Sequence, residues 1–149
     1  MKLDNKTKSD IFIPTSNRYD ALKMCLDSLD MQTLKSFKIF IVGISKSHKI
    51  KTLIDSYRNL DIVYFIQKNK GIIGAANEAL LKMKNDIFIR IDDDVSISSE
   101  WHKNIINTFT DDDNVGGVTG PTIMTKKGIK SRDLTSFLDK FQKSNNLFF

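Results

Sequence analysis

Apolar runs of strand length alternate along the chain with polar-rich segments whose apolar residues recur at helical spacing. Ile11-Phe12-Ile13 predicts a short strand stopped by Pro14. Leu22, Cys25, Leu26 and Leu29 then fall at i, i+3, i+4 and i+7, the stripe of an amphipathic helix. Phe37 to Ile44 predicts a second strand, and Ile50, Leu53, Ile54 and Tyr57 repeat the helical stripe. A third strand is expected over Ile62 to Ile66, a third helix around Ala76, Ala79, Leu80 and Met83, and a fourth strand over Ile87 to Ile91. Ser98 or Ser99 is placed to cap a fourth helix carrying Trp101, Ile105 and Phe109. Val115 to Thr119 reads as a fifth strand, and Leu134, Phe137, Leu138 and Phe141 as a last helical stripe.

Strands alternating with helices predict right-handed βαβ units, hence an α/β fold with a Rossmann-like, mostly parallel sheet. The strands read as continuous apolar runs, as expected where helices cover both faces of the sheet. Ligands in such sheets bind beyond the carboxyl ends of the strands. The polar segments that carry chemistry lie there: Thr15-Ser16-Asn17-Arg18, Lys68-Asn69-Lys70-Gly71 and Asp92-Asp93-Asp94. The last is the most informative. Adjacent carboxylates repel one another unless a cation or solvent relieves them. Hard divalent cations such as Mg²⁺ and Mn²⁺ prefer carboxylate oxygens and share them with substrate phosphates. A strand that ends in three acids therefore suggests a metal–phosphate site. An EF-hand does not fit, because counting from Asp92 puts Ile97 where that loop needs glycine. Asp111-Asp112-Asp113 reads instead as a solvated polar turn.

Composition narrows the classes. A length of 149 residues suits one domain. The net charge is +5, but the lysines are scattered and no arginine-rich arm appears, which argues against a dedicated nucleic-acid binder. The single Cys25 excludes an internal disulfide and reads as a buried thiol on a core stripe. His48 and His102 have no partner at ligand spacing and read as surface residues. No apolar run approaches the roughly 20 residues of a membrane span, and the first residues lack the apolar core of a signal peptide. The expectation is a cytoplasmic protein.

These strand-end motifs, in this order, resemble the family 2 glycosyltransferases of the GT-A fold, over residues 9–122. Ile11 to Arg18 looks like that family's opening strand and its Pro-Thr-aromatic-Asn-Arg loop. Cys25-Leu26-Asp27-Ser28-Leu29 with Gln32 matches its first helix and exit. Asn69 to Asn77 is similar to its Asn-x-Gly…Asn segment, and Asp92-Asp93-Asp94 to its Asp-x-Asp motif. The resemblance implies transfer of a sugar, with inversion, from a nucleotide diphosphate sugar to an acceptor hydroxyl, using Mn²⁺ or Mg²⁺. It implies a donor site of Pro14, Thr15, Asn17, Arg18, Asn69, Gly71, Asn77, Asp92 and Asp93, with Asp92 and Asp94 on the metal. In that scheme Arg18 meets phosphate, Gly71 admits close backbone approach, and Asn77 braces its loop from the helix.

Two departures stand out. The family carries an acid directly after the second strand to read the base, whereas this chain has Gly43-Ile44-Ser45. No residue after Pro121 matches the family's general base, so the catalytic residue is unassigned. Residues 123–149 are expected to form a C-terminal helical segment ending in the apolar tail Leu147-Phe148-Phe149. Exposed aromatics are unfavourable unless packed. The tail thus points to a chain cut before its acceptor-binding part, or to a second copy or the inner face of a membrane packed against it. Two further readings stay open: a non-catalytic nucleotide-sugar-binding module, and a dinucleotide-binding oxidoreductase domain. The second rests on Gly71-Ile72-Ile73-Gly74 opening a helix with Asp92 about twenty residues on.

Overall fold

The computed structural model of the protein describes residues 8–120. The expected stripe at 134–141 and the apolar tail lie outside them. Four parallel strands and four helices alternate: β1 (Ser9–Thr15), α1 (Tyr19–Asp30), β2 (Phe37–Gly43), α2 (His48–Asp55), β3 (Ile62–Ile66), α3 (Gly71–Leu80), β4 (Ile87–Arg90) and α4 (Trp101–Asp111). The strand order is β3-β2-β1-β4. Progress from β1 to β3 runs one way along the sheet, and α3 then carries the chain back to the far side of β1. Because crossovers are right-handed, reversing direction forces the helix onto the opposite face. The packing follows that rule. Leu22, Cys25, Leu26 and Leu29 of α1 share one core with Ile50, Leu53 and Ile54 of α2, Ile105 and Ile106 of α4, and Ile11, Ile13, Ile39, Ile41, Ile87 and Ile89 of the sheet. Across the sheet, Ala75 and Ala79 of α3 pack on Phe12 and Val42.

Pro14 does not stop β1; it sits inside the strand opposite Val42. Phe12 turns its backbone toward β4, since its carbonyl accepts from Ile91 N–H at 3.1 Å. Two residues on, Pro14 points the same way, where the β4 ladder has already ended at Arg90. The missing N–H therefore leaves no rung unmade.

Edge position modifies the expected continuous burial. All five residues of β3 are half-buried, and β4 alternates, with Ile87 and Ile89 inward and Phe88 and Arg90 outward. Leu80 is not a core residue: it ends α3 with 48% exposure. Val115 to Thr119 forms no strand among the described residues. A strand needs a ladder partner, and the Gly116-Gly117 pair offers no side chains to hold one in place. The start of α4 also differs from expectation, since Glu100 takes the cap position without a side-chain cap bond. Asp111 ends α4, and the rest of the triplet behaves as read: Asn114 N–H donates to Asp112 Oδ1 at 2.9 Å, closing a polar turn.

His102 corrects a larger expectation, being fully buried rather than at the surface. Its Nδ1 lies 3.0 Å from the Leu34 carbonyl and its Nε2 2.8 Å from Ser9 Oγ. A carbonyl only accepts, so Nδ1 carries the proton and the Ser9 hydroxyl donates to Nε2. The backbone N–H of His102 donates to Gln32 Oε1 at 2.9 Å, and Gln32 Nε2 donates to the Ser28 and Ser98 carbonyls. This buried network ties the exit of α1 to the entry of α4. Burial pushes the His102 pKa down from 6.5 to about 4, although the Leu34 contact opposes the shift. Between those values only the unfolded chain takes up the proton, so stability is complete above 6.5 and is lost as the pH falls toward 4. The full loss is expected to reach about 3 kcal/mol. Urea unfolding across this range should show the slope, and His102→Leu should flatten it.

Candidate functional site

Between β1 and β4 the strand order reverses, so the carboxyl ends of two strands distant in sequence lie side by side, which is where open α/β sheets bind ligands. The loops after these strands are Thr15 to Arg18 and Asp92 to Asp94, so this point of the topology brings two of the sequence motifs together. They line a cleft of about 330 Å³ with Pro14, Val42, Ile44, Gln67 and the opening residues of α3, Gly71, Ile72 and Ala75. That volume lies at the lower end of small-molecule sites.

The three carboxylates have unequal surroundings. Asp93 is 1% exposed, and both its oxygens are engaged: Thr15 Oγ1 donates to Oδ2 at 2.6 Å, and the Arg18 guanidinium pairs with Oδ1. Arg18 Nη1 also donates to Asp94 Oδ2 at 3.0 Å, while Arg90 Nη2 donates to Asp92 Oδ1 at 3.0 Å. Asp92 and Asp94 are each about half exposed. The hydrogen bond to Asp93 leads the effects that raise the Arg18 pKa, with the charges of Asp93 and Asp94 adding to it. Cys25, buried beneath, is an inert thiol as expected: desolvation foremost, then the field of the three acids, pushes its pKa well up.

The donor set fits a hard divalent cation. Asp92 and Asp94 offer accessible carboxylate oxygens on one cleft wall, whereas Asp93 is committed to the fold. No group of three or more His, Cys, Asp or Glu suited to a metal occurs among the described residues. Two carboxylates would suffice for a Mg²⁺ ion that also takes substrate phosphates and water.

Asn17 stands in left-handed backbone at φ +65°, a conformation asparagine tolerates better than most residues. Its Nδ2 donates to Ser45 Oγ at 2.8 Å and to the Ser45 carbonyl at 3.3 Å, clasping the β1 exit to the β2 exit. Its Oδ1 is buried without a partner among the described residues. Asn17 supports the cleft from behind and does not line it.

The loop before α3 is held by a residue the sequence reading missed. One Glu78 oxygen, Oε1, accepts from the backbone N–H of Lys68 (2.8 Å) and Asn69 (2.7 Å) and from Asn69 Nδ2 (3.2 Å). The Asn69 N–H leads the contacts that lower the Glu78 pKa. Glu78 thus does the bracing expected of Asn77, which is exposed one position along the helix. A Cβ on Gly74 would come within 2.8 Å of the Asn69 carbonyl, so that glycine lets the loop fold back on α3. Gly71 adopts φ +86° and turns the chain into the helix. Lys70, the cap residue, makes no side-chain cap bond. The positive end of the α3 dipole therefore opens at the cleft through Gly71 and Ile72. The only available signal for Glu78 was an acid ten positions beyond the loop residue Lys68 and on the same side of α3 as Gly74.

Of the expected site residues, Pro14, Thr15, Arg18, Gly71, Asp92, Asp93 and Asp94 meet in the cleft, whereas Asn17 and Asn69 shape its walls from outside. Glu78→Ala should speed hydrogen exchange at the Lys68 and Asn69 amides on the order of tenfold, with a nearly unchanged urea midpoint. Exchange at the parent rate would show that other contacts hold the loop.

Comparison with known proteins bears on the family and the fold. The sequence profile of the family described as glycosyl transferase family 2 matches residues 10–149. Glycosyltransferase GlyA of Streptococcus pneumoniae serotype 4 is 27% identical over 103 residues, covering 68% of this chain and 14% of GlyA. Among solved structures, S. aureus TarS 1-349 superposes with a TM-score of 0.66 at 20% identity, covering 78% of this chain and 39% of TarS 1-349. A TarS 1-349 structure holds UDP-GlcNAc. The mannosyltransferase PcManGT of Pyrobaculum calidifontis, solved with GDP-Man and Mn²⁺, superposes at 0.59 with 15% identity, covering 69% of this chain and 31% of its own. The chain thus spans less than half the length of each of these relatives. With the profile matched over nearly its whole length, an α/β sheet like that of GT-A enzymes and the strand-end motifs in order, the chain belongs to glycosyl transferase family 2.

Proposed function

We propose that this chain forms the donor-binding half of a glycosyltransferase that uses a nucleotide diphosphate sugar and a divalent cation. One observation carries the reading: the β1 exit, the acidic β4 exit and the uncapped start of α3 converge on a single cleft at the topological switch point. Support comes from the family membership and from the nucleotide sugars bound by TarS and PcManGT.

In this scheme Asp92 and Asp94 hold Mn²⁺ or Mg²⁺, which when bound offsets charge on the diphosphate leaving group. Asp93, fixed by Thr15, keeps the Arg18 guanidinium in place, and Arg18 presents it at the cleft wall. The first turn of α3 directs its dipole toward the phosphates. Val42, Ile44, Ile72 and Ala75 give the cleft an apolar side on which a base or sugar ring can rest. With Gly43 and Ile44 where the family has its acid, base recognition falls to neutral groups. Inversion at the anomeric carbon belongs to the proposal on family likeness alone. The acceptor and the general base are assigned to the remainder of such an enzyme.

Calorimetric titration with UDP, GDP, ADP and CDP, with and without Mn²⁺, checks the reading. At least one nucleotide should bind, and Mn²⁺ should tighten it tenfold or more. Asp94→Ala should abolish most of that increment while the protein stays folded. Failure of every nucleotide to bind, or an unaltered increment in Asp94→Ala, would overturn the assignment.

A further inference from the structure

The three carboxylates are balanced within the protein by two guanidiniums, and Arg18 contacts two of the acids at once. Its two contacts differ in kind. Nη2 meets Asp93, which is 1% exposed and also receives Thr15 Oγ1. Breaking that contact would leave a buried charge short of a partner, which proteins resist strongly. Nη1 meets Asp94, where both side chains are 51% exposed. A pair so exposed is weak and exchanges readily with other ions. The guanidinium is thus fixed at one end and exchangeable at the other, and the exchangeable end lies on a carboxylate of the proposed cation site.

We propose that Arg18 is an internal counter-ion of Asp94: Asp94 gives up Nη1 of Arg18 when it takes a divalent cation, and the freed Nη1 then faces the diphosphate. The inference rests on the donor-site reading above. Its consequence is thermodynamic. Cation alone must compete with Arg18 for Asp94 and binds weakly. Diphosphate gives the displaced N–H donors a new acceptor, since guanidinium and phosphate oxygens pair well. Each ligand therefore strengthens the other, and by the same factor. Arg18 acts here as a positioning residue whose signature is this coupling.

Electron paramagnetic resonance of free Mn²⁺ measures the cation Kd directly, alone and with saturating UDP or GDP. In Arg18→Met, Mn²⁺ alone is expected to bind about fivefold more tightly than in the parent. The further tightening caused by nucleotide should shrink by a similar factor. Lys46→Met, which removes a positive charge from the exposed loop after β2, should stay within about twofold of the parent on both measures. Because Arg18→Met strips Asp93 of its cation, the pair Arg18→Met with Asp93→Asn is measured alongside it and should show the same two shifts. The proposal falls if Mn²⁺ alone binds the folded Arg18 variants no better than the parent, or if Lys46→Met reproduces their gain. It also falls if nucleotide binds but tightens Mn²⁺ equally in parent and variants, an outcome that leaves the donor-site reading standing. If neither nucleotide binds the parent with Mn²⁺ present, that reading falls and the coupling with it.

Discussion

Three adjacent carboxylates repel one another at a strand end, and the way this protein pairs them organises the carboxyl edge of the sheet between β1 and β4. The middle acid, Asp93, turns inward and is closed off by Thr15 and Arg18. Those partners lie at the end of β1 and the entry to α1, so one buried carboxylate holds together two chain segments some eighty positions apart in sequence. The outer acids, Asp92 and Asp94, keep surface-exposed partners in Arg90 and Arg18. Burying one charge with full hydrogen bonding leaves the other two on the cleft wall, available to a ligand.

That arrangement depends on strand order. β1 and β4 are distant in sequence but adjacent in the sheet, because α3 returns the chain across the face opposite α1 and α2. Had the chain continued outward from β3, the Thr15 loop and the acids would lie at separate places. The return also explains α3. Its N-terminus reaches the carboxyl edge of the sheet, its small residues Ala75 and Ala79 permit close packing on Phe12 and Val42, and Gly74 and Glu78 hold the preceding loop. The opposite end of the sheet is tied by a neutral network, in which Gln32 and the buried His102 join α1 to α4.

Belonging to glycosyl transferase family 2 accounts for the scaffold, and the departures within it give this chain its own character. The β2 exit offers Ile44 and a Ser45 clasped by Asn17, where a carboxylate was expected from the family pattern. The cleft has acids on one wall and aliphatic side chains on another.

Much of this was legible along the chain, because alternation of strand and helix, the stripe of α1 and the acids ending β4 are set by local periodicity and by the chemistry of neighbouring residues. Leu22, Cys25, Leu26 and Leu29 are all fully buried, as their spacing requires. What periodicity does not encode is which element lies beside which. Pro14 stays within β1 only because β4 ends short of it. Val115 to Thr119 forms no strand among the described residues, despite its apolar residues. His102 is buried because the inward face of α4 centres on His102, Ile105 and Ile106, while Trp101 and Phe109 of the expected stripe pack against the same core partly buried. Family likeness sets Asp92 and Asp94 apart from Asp93, but adjacency alone does not say which carboxylate is buried. Only the fold, by placing Thr15 and Arg18 against the middle one, decides that Asp93 is buried at the cleft wall while Asp92 and Asp94 stay half exposed there, since burial and pairing are properties of neighbours in space.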